Sequence, residues 1–279
     1  MTTTTTLAGK TILMSGGSRG IGLAIAKRAA QDGANVAIIA KTDQAHPKLE
    51  GTVHTAADEI RAAGADAGAK ALAIVGDVRD EASVQDAVSA TVAEFGGIDI
   101  VVNNASAINL GGSAQIDMKR FDLMHDINTR GTFLLTRTAL QYLRTSEDPR
   151  ILTLSPPLNL SAKWLGAYPA YMLAKYGMTL ATLGIGAETH IPATALWPRT
   201  TIQTAAVLNI LGGEEVYRRS RTVELYSDAA HAVLTAPGDT VAGQALLCED
   251  VLEAVGVTDF SRYSPGTDEV ELHPDAFVD

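Results

Sequence analysis

Tyr171 and Lys175 stand four residues apart in the run Tyr171-Met172-Leu173-Ala174-Lys175. On a helix that spacing puts both side chains on one face, one turn from each other. A phenol has an ordinary pKa of about 10 and is a poor acid or base at neutral pH. An ammonium about 4 Å away favours the phenolate by roughly 4 kcal/mol at an effective dielectric of ~20. That is about three pKa units, enough to bring the phenol toward proton transfer. The same spacing also suits a solvated helix face. The chemistry therefore depends on whether the chain supplies a hydride carrier.

A carrier site is readable upstream. Residues 11–14 form a short apolar run, expected as a buried strand. Ser15-Gly16-Gly17-Ser18-Arg19-Gly20-Ile21-Gly22 follows at once, and residues 23–30 have helical composition. A strand, a glycine-rich turn and a helix make a phosphate-binding opening, with free N–H groups and a positive dipole end aimed at the anion. The spacing is Gly16-x-x-x-Gly20-x-Gly22, and the structural alternative is a turn that packs a helix on a strand. The second strand, 35–40, ends at Lys41, where an NAD-preferring site usually has Asp or Glu for the ribose 2′-OH. An ammonium attracts a 2′-phosphate, and Arg19 could add a second cation, so NADP is expected over NAD, with NAD still possible. Lys48, in the loop after Lys41, could also reach that phosphate. The alternative is a set of solvated cations.

The third strand, 70–75, runs into Gly76-Asp77-Val78. At the carboxyl edge of a doubly wound sheet, Asp77 could accept from the adenine amino group with Val78 beside the ring. Asp77 could equally cap the helix starting near Glu81. After the fourth strand, 98–102, Asn103 reads as structural, and Asn104, Ala105 and Ser106 as lining the ribose and nicotinamide. Asn128 lies inside a long expected helix, 121–143, where Asn is locally unfavourable; such a departure marks a kink or a functional site. Ser155-Pro156-Pro157 ends the fifth strand. Tyr171 and Lys175 follow on a helix running to about 187, and a sixth strand, 193–197, ends in Pro198-Arg199-Thr200-Thr201. A helical stretch spans 204–219, another 222–234, and a last strand 243–247. From 258 the chain turns polar and acidic and reads as an arm or loop. Strand and helix alternate throughout. The expected fold is α/β, Rossmann-like, a doubly wound parallel sheet of about seven strands with helices on both faces, in one domain over 1–279.

Composition narrows the partners. The 279 residues are 46% hydrophobic with a net charge of −10, which argues against nucleic acid or an anionic membrane surface. No apolar run reaches the roughly 20 residues of a membrane helix. The lone Cys248 forms no internal disulfide and reads as buried strand packing; a reducing, cytoplasmic setting is expected. Six scattered His residues show no metal-ligand spacing, so no metal site is expected.

Taken together, Gly16-x-x-x-Gly20-x-Gly22, Asn103-Asn104-Ala105, Asn128, Tyr171-x-x-x-Lys175 and Pro198 resemble the short-chain dehydrogenase/reductase family, in order and spacing, over almost the whole chain. Finer strings, Lys-Thr-x-x-x-His-Pro-Lys-Leu from Lys41 and Ser-Pro-Pro-Leu-Asn-Leu from Ser155, resemble one subgroup of it. The resemblance implies NAD(P)-linked interconversion of an alcohol and a carbonyl on a small-molecule substrate. It implies Tyr171 as proton donor or acceptor, and Lys175 as the group lowering its pKa and holding the ribose. Asn128 would anchor a relay water. Gly16, Ser18, Arg19, Gly20, Ile21 and Gly22 would cradle the dinucleotide. Lys41, Asp77, Val78, Asn104, Ala105, Ser106, Pro198 and Thr200 would hold the rest of it. The family often forms dimers and tetramers through its two long helices, so a homodimer or homotetramer is expected.

Two positions depart from the family pattern. The substrate-orienting serine is usually the second of a Ser-Ser pair, and in strand register that place falls on Pro156. Ser155 is the first candidate in its stead, Ser161 the second, and a site without serine the third. Arg199 stands where glycine is usual. An apolar substrate is expected, because Trp164, Leu165, Tyr168, Leu208 and Leu211 could line the pocket mouth; core or subunit packing is their alternative. The disturbed serine also leaves open an NADP(H)-binding sensor or scaffold with little catalysis. Dehydration or epimerisation on the same scaffold is a third possibility, but no extra acid–base pair is readable near Tyr171.

Overall fold

The computed structural model describes residues 6–45, 51–264 and 271–279. Seven short apolar runs form its strands: β1 (Thr11–Ser15), β2 (Asn35–Ala40), β3 (Ala71–Val75), β4 (Ile100–Asn103), β5 (Arg150–Leu154), β6 (Ala193–Trp197) and β7 (Gln244–Leu247). They make one parallel sheet in the order β3-β2-β1-β4-β5-β6-β7. Ile12 pairs with Val36 on one side and Ile100 on the other, so β1 is central. β1, β4, β5 and β6 are buried along their whole length, while the edge strands β3 and β7 are partly exposed. Helices covering both faces leave the inner strands nowhere to show a polar residue, hence their continuous Ile/Val/Leu composition.

The helices are α1 (Gly20–Gln31), α2 (Val53–Ala63), α3 (Glu81–Phe95), α4 (Met118–His125), α5 (Gly131–Leu143), α6 (Ala162–Ala167), α7 (Pro169–Thr189), α8 (Gly213–Arg218), α9 (Val223–Thr235), α10 (Gly238–Val241) and α11 (Cys248–Ala254). Local chemistry sets several boundaries. Thr52 and Thr55 cap α2 reciprocally, and Asp80 caps α3 by accepting from Ala82 and Ser83 N–H. Gly96 ends α3 in the left-handed region, where only glycine is unstrained. Pro169 occupies the first turn of α7, where its missing N–H costs nothing.

Alternate residues of each strand feed opposite layers. Ile12, Met14, Val36 and Ile38 pack with Ile25, Leu225 and Leu234 of α1 and α9. Leu13, Ala37, Val101 and Ile151 pack with Val84, Leu135 and Leu143 of α3 and α5. At roughly 1.5–3 kcal/mol for each fully buried large aliphatic side chain, these two layers dominate the fold's stability.

Several expectations are corrected. Cys248 is buried, but as the first residue of α11 rather than in a strand. Asp80, not Asp77, caps α3. The expected helix over 121–143 begins at Met118 and contains a π-helical turn, Asp126–Arg130, between α4 and α5. The stretch 204–219 divides into a π turn, Val207–Leu211, and α8, with Gly212 between. Of the arm or loop expected from 258, residues 271–279 are a loop and not a projecting arm. They return to the sheet's carboxyl edge, where Thr200 bridges Pro274 and Phe277 and Val278 are buried.

Candidate active site

Strand order reverses between β1 and β4, and ligands of open α/β sheets bind in the crevice that this leaves at the carboxyl ends. A cleft of about 950 Å³ opens there. Gly16, Ser18, Arg19, Gly20 and Ile21 line one end of it, and Tyr171, Lys175 and Pro198 the other. The glycine turn is fixed from below. Gly16 N–H donates to the Ile39 carbonyl at 2.9 Å, and Asn104 Nδ2 donates to the Ser15 and Gly16 carbonyls at 3.1 and 2.7 Å. Ser15 Oγ accepts from the N–H groups of Asn104 and Ala105. Ser15 had escaped the sequence reading, although a hydroxyl at the last strand position before a glycine turn is the available signal. A Cβ on Gly22 would stand 2.5 Å from Asn104 Nδ2, so Gly22 lets helix and carboxamide meet rather than lining the cleft. Asn103, as expected, is structural: its Nδ2 donates to Thr136 and Thr153 hydroxyls.

At the far end of this turn, Lys41, Asp77 and Val78 share the cleft wall. Asp77 is bound by Arg79 through both carboxylate oxygens and by Lys41 Nζ at 3.2 Å. Arg79 first, and Lys41 after it, hold this carboxyl well below the usual range. Arg79 was not singled out from sequence, and it fixes the orientation of Asp77. Arg19 donates to the Gly51 carbonyl at 2.9 Å. Lys48 lies outside the described residues.

At the other end, Asn128 sits in the π turn, completely buried, with Oδ1 accepting from Ala107 N–H at 2.7 Å and Nδ2 donating to Ala107 carbonyl at 3.1 Å. Of the kink or functional site that the misplaced Asn pointed to, the structure shows the first, as a π turn. Tyr171 and Lys175 lie on one face of α7 and are 5% and 3% exposed. Lys175 Nζ donates to the Leu154 carbonyl at 2.9 Å and stands 4.9 Å over the Trp197 ring. Burial lowers the Lys175 ammonium to about 7, against the pull of Asp275. Burial pushes the Tyr171 phenol up, and the charge of Asp275 adds to the push. Burial and Asp275, rather than the expected lowering by Lys175, are the influences that act on the phenol here.

Three expected site residues are placed elsewhere. Ser155 is completely buried, its Oγ 2.9 Å from Thr179 Oγ1 and outside the cleft lining, so it cannot orient a substrate. Thr179 Oγ1 also donates to the Pro156 carbonyl at 2.7 Å, which locks the Ser155-Pro156 corner. Thr200 turns its hydroxyl toward Glu249, and Thr201 takes its place in the wall. Leu165 is exposed rather than in the mouth, while Trp164, Tyr168, Leu208 and Leu211 do line it. Arg199 points away from the cleft into a two-pronged pair with Asp250.

The segment 273–279, read from sequence as part of an arm or loop, closes the Tyr171–Lys175 end of the cleft. His273 N–H donates to the Arg219 carbonyl, Asp275 N–H to the Arg199 carbonyl, and Trp197 Nε1 to the Ala276 carbonyl. Asp279 is held by Asn159 and by Trp164 Nε1. The Phe277 ring lies 5.9 Å from Tyr171, 5.2 Å from Tyr176 and 5.7 Å from Trp164, centroid to centroid. Phe277 has φ of +70°, a strained conformation for a bulky residue that only surrounding packing sustains. Burial pushes the Asp275 carboxyl up to about 7. The one sequence signal was Phe277-Val278, an apolar pair in an otherwise polar stretch.

The residues fit a nicotinamide dinucleotide. Gly20, at φ of +55°, would place a Cβ no closer than 3.6 Å to Thr204, leaving open backbone at the N-terminus of α1, whose first N–H groups have no intrahelical partner. A family model described as short chain dehydrogenase matches residues 10–196. Hydroxysteroid dehydrogenase-like protein 2 of Danio rerio is 52% identical over 98% of this chain, and that of Homo sapiens 46% over the same share. The chain spans 65% and 64% of the length of these two relatives. A short chain dehydrogenase of Mycobacterium thermoresistibile superimposes with a TM-score of 0.91 at 54% identity, covering 98% of this chain and 96% of that one. A short-chain dehydrogenase/reductase of Serratia marcescens does so with 0.71 at 27%, covering 86% and 96%.

Proposed function

Because the chain belongs to the short-chain dehydrogenase family, we propose that it is an NADP(H)-linked oxidoreductase that interconverts an alcohol and a carbonyl on an apolar substrate of small or medium size. The observation that carries this is the pairing of Tyr171 and Lys175 on α7 at one end of the cleft whose other end is the glycine turn. The dinucleotide, when bound, supplies or accepts the hydride. The chain's own residues handle the proton. In the reductive direction Tyr171 Oη gives its proton to the substrate oxygen. The phenolate left behind is disfavoured by burial, so Lys175 must carry its charge when the proton moves. Asn128 keeps the Ala107 backbone fixed and the π turn wide, and this supports a relay water between Lys175 and solvent.

Lys41 stands where a 2′-phosphate would come, and Arg19 opens the same end of the cleft, which favours NADP over NAD. The apolar wall of Ile108, Leu110, Trp164, Tyr168 and Leu208 favours an apolar substrate. Exposed Phe133, Leu173 and Leu180 on α5 and α7 favour a homodimer or homotetramer, and a gel-filtration mass near 29.2 kDa would refute one. A buried free Cys248 suits a reducing setting such as the cytoplasm. Among the described residues no helix is long and apolar enough to cross a membrane.

The test is a titration with NADPH and NADH followed by a carbonyl panel on the same sample. Tyr171→Phe is expected to abolish turnover and leave nucleotide affinity nearly intact; retained turnover overturns the mechanism. A second reading, a nucleotide-binding sensor with little catalysis, is favoured by the inward-turned Ser155, and nucleotide binding without turnover across the panel would support it.

A further inference from the structure

Ser155 faces Thr179 and Pro156 has no hydroxyl to offer, so the strand position where the family pattern puts its substrate-orienting serine supplies none. Most other polar groups there are committed. Lys175 Nζ bonds the Leu154 carbonyl, Tyr226 Oη the Leu196 carbonyl, and Trp164 Nε1 Asp279. Asp275 differs. It stands in the cleft wall with Oδ1 accepting from Ala276 N–H at 2.7 Å, and no protein donor meets its Oδ2 among the described residues. Its place is fixed on two sides. Asp275 N–H is tied to Arg199 at the end of β6, and Ala276 to Trp197, whose ring lies under Lys175 Nζ. Phe277 packs on Tyr171. Asp275 therefore shares the cleft lining with Tyr171, Lys175 and Trp197, close enough for its charge to act on both Tyr171 and Lys175.

We propose that Asp275 is the substrate-orienting group of this site, a protonated carboxyl that donates a hydrogen bond to the substrate oxygen beside Tyr171 Oη. The role rests on the oxidoreductase reading. Asp275 transfers no proton; the one that moves comes from Tyr171. A carboxylic acid kept neutral by its surroundings is a donor to a developing oxyanion, whereas the ionised form only accepts and would oppose a phenolate. The groups facing Asp275 favour the neutral form on balance. Burial is the largest influence, and Glu249 of α11 adds to it; Ala276 N–H and Lys175 of α7 pull the other way. Tyr171 of α7, Tyr226 of α9 and Cys248 of α11 also feel its charge, and all three are pushed up by burial toward their neutral forms. His273 shares its segment, and neighbouring Arg199 is engaged by Asp250.

Two measurements test this. The first needs no nucleotide: denaturation of wild type and Asp275→Asn across pH. A carboxyl raised from 3.8 to about 7 by folding binds its proton more tightly in the folded state, so its stabilisation is complete below about pH 4 and lost as pH rises through about 7. The stability of wild type relative to Asp275→Asn should fall over that window. A flat difference means an ionised carboxyl and overturns the proposal. The second is reductive turnover. Asp275→Ala should lose about 10²–10³-fold in kcat, the cost of one oxyanion donor. Asp275→Asn, whose amide still donates, should keep most of the rate and gain on wild type between about pH 6 and 8, as wild type ionises. Full activity in Asp275→Ala, or loss confined to Tyr168→Phe in the same wall, overturns the role of Asp275 alone. A wild type that binds nucleotide but reduces nothing ends the oxidoreductase reading and this role with it.

Discussion

Asn128 grips Ala107 by both ends of its carboxamide, one bond accepted and one donated, from inside a π turn with no solvent access. Asn128→Ala strips two backbone groups of their partners, at about 1–3 kcal/mol for each one left unsatisfied. A lower urea midpoint is expected, with turnover falling further than nucleotide affinity, because the loop at Ala107 leads into the substrate wall at Ile108. An unchanged midpoint would show that water replaces the carboxamide without loss.

Gly22→Ala should weaken dinucleotide binding although Gly22 does not line the cleft. The added methyl would stand 2.5 Å from Asn104 Nδ2 and 2.8 Å from the Gly16 carbonyl. Asn104 must then release the two carbonyls that fix the glycine turn. Isothermal titration with NADPH should report the weakening, and wild-type affinity would mean that Ser15 and the Gly16–Ile39 bond hold the turn without Asn104.

Lys41→Asp is expected to reverse cofactor choice. The substitution replaces an attraction for a 2′-phosphate with a repulsion and supplies an acceptor for a free 2′-OH. Lys41 is exposed, so the change in NADPH over NADH preference is put at about tenfold or somewhat more, from a charged hydrogen bond discounted for solvent. Asp77 keeps its Arg79 partner in the variant, so the fold at β3 should hold. Competition binding of the two nucleotides measures it, and an unchanged ratio would assign the phosphate to other residues.

Lys175 should leave its mark on stability above neutrality. Its ammonium is lowered from 10.5 to about 7 by burial, so the unfolded chain holds more protons between those values. Stability therefore rises with pH across that window on account of this group. Compared with Lys175→Met, wild type should gain between about pH 7 and 10 in guanidinium melts. A constant difference would mean that Lys175 stays charged in the folded protein.

The sheet was readable because each strand is a short apolar run bounded by glycine, proline or a polar residue, and the inner strands are buried on both faces. The glycine turn and the Tyr171–Lys175 pair were readable for a different reason: their spacings lie within one turn of chain. What escaped depends on contacts between distant parts of the chain. Nothing near Asp275 or Phe277 says that they dock beside Tyr171, and a polar composition pointed to an arm or loop. Ser155 was misplaced because Thr179, a turn beyond Lys175 on α7, claims its hydroxyl. Asp77 and Asp80 compete for the same cap, and the choice follows from where α3 begins, with Arg79 drawing Asp77 toward the cleft. The burial of Tyr171 was not legible because helix spacing speaks of neighbours and says nothing of how dry a site is.

The π turn at Asp126–Arg130 also works as a phase shifter. Buried positions along α4 to α5 fall at Met124, Asn128, Gly131, Thr132, Leu134, Leu135, Thr136, Ala139 and Leu143. A step of four drifts by about 40° on an ordinary helix of 3.6 residues per turn, so the two steps from Met124 through Asn128 to Thr132 would carry Met124 off the core face. The wider turn absorbs much of that drift and lets a single rod face the substrate wall at one end and the sheet at the other. Deleting one residue from 126–130 would restore regular winding, yet it would swing the whole of α4 about its axis and turn Met124 and Phe121 out of the apolar cluster they share with Tyr171 and Phe277.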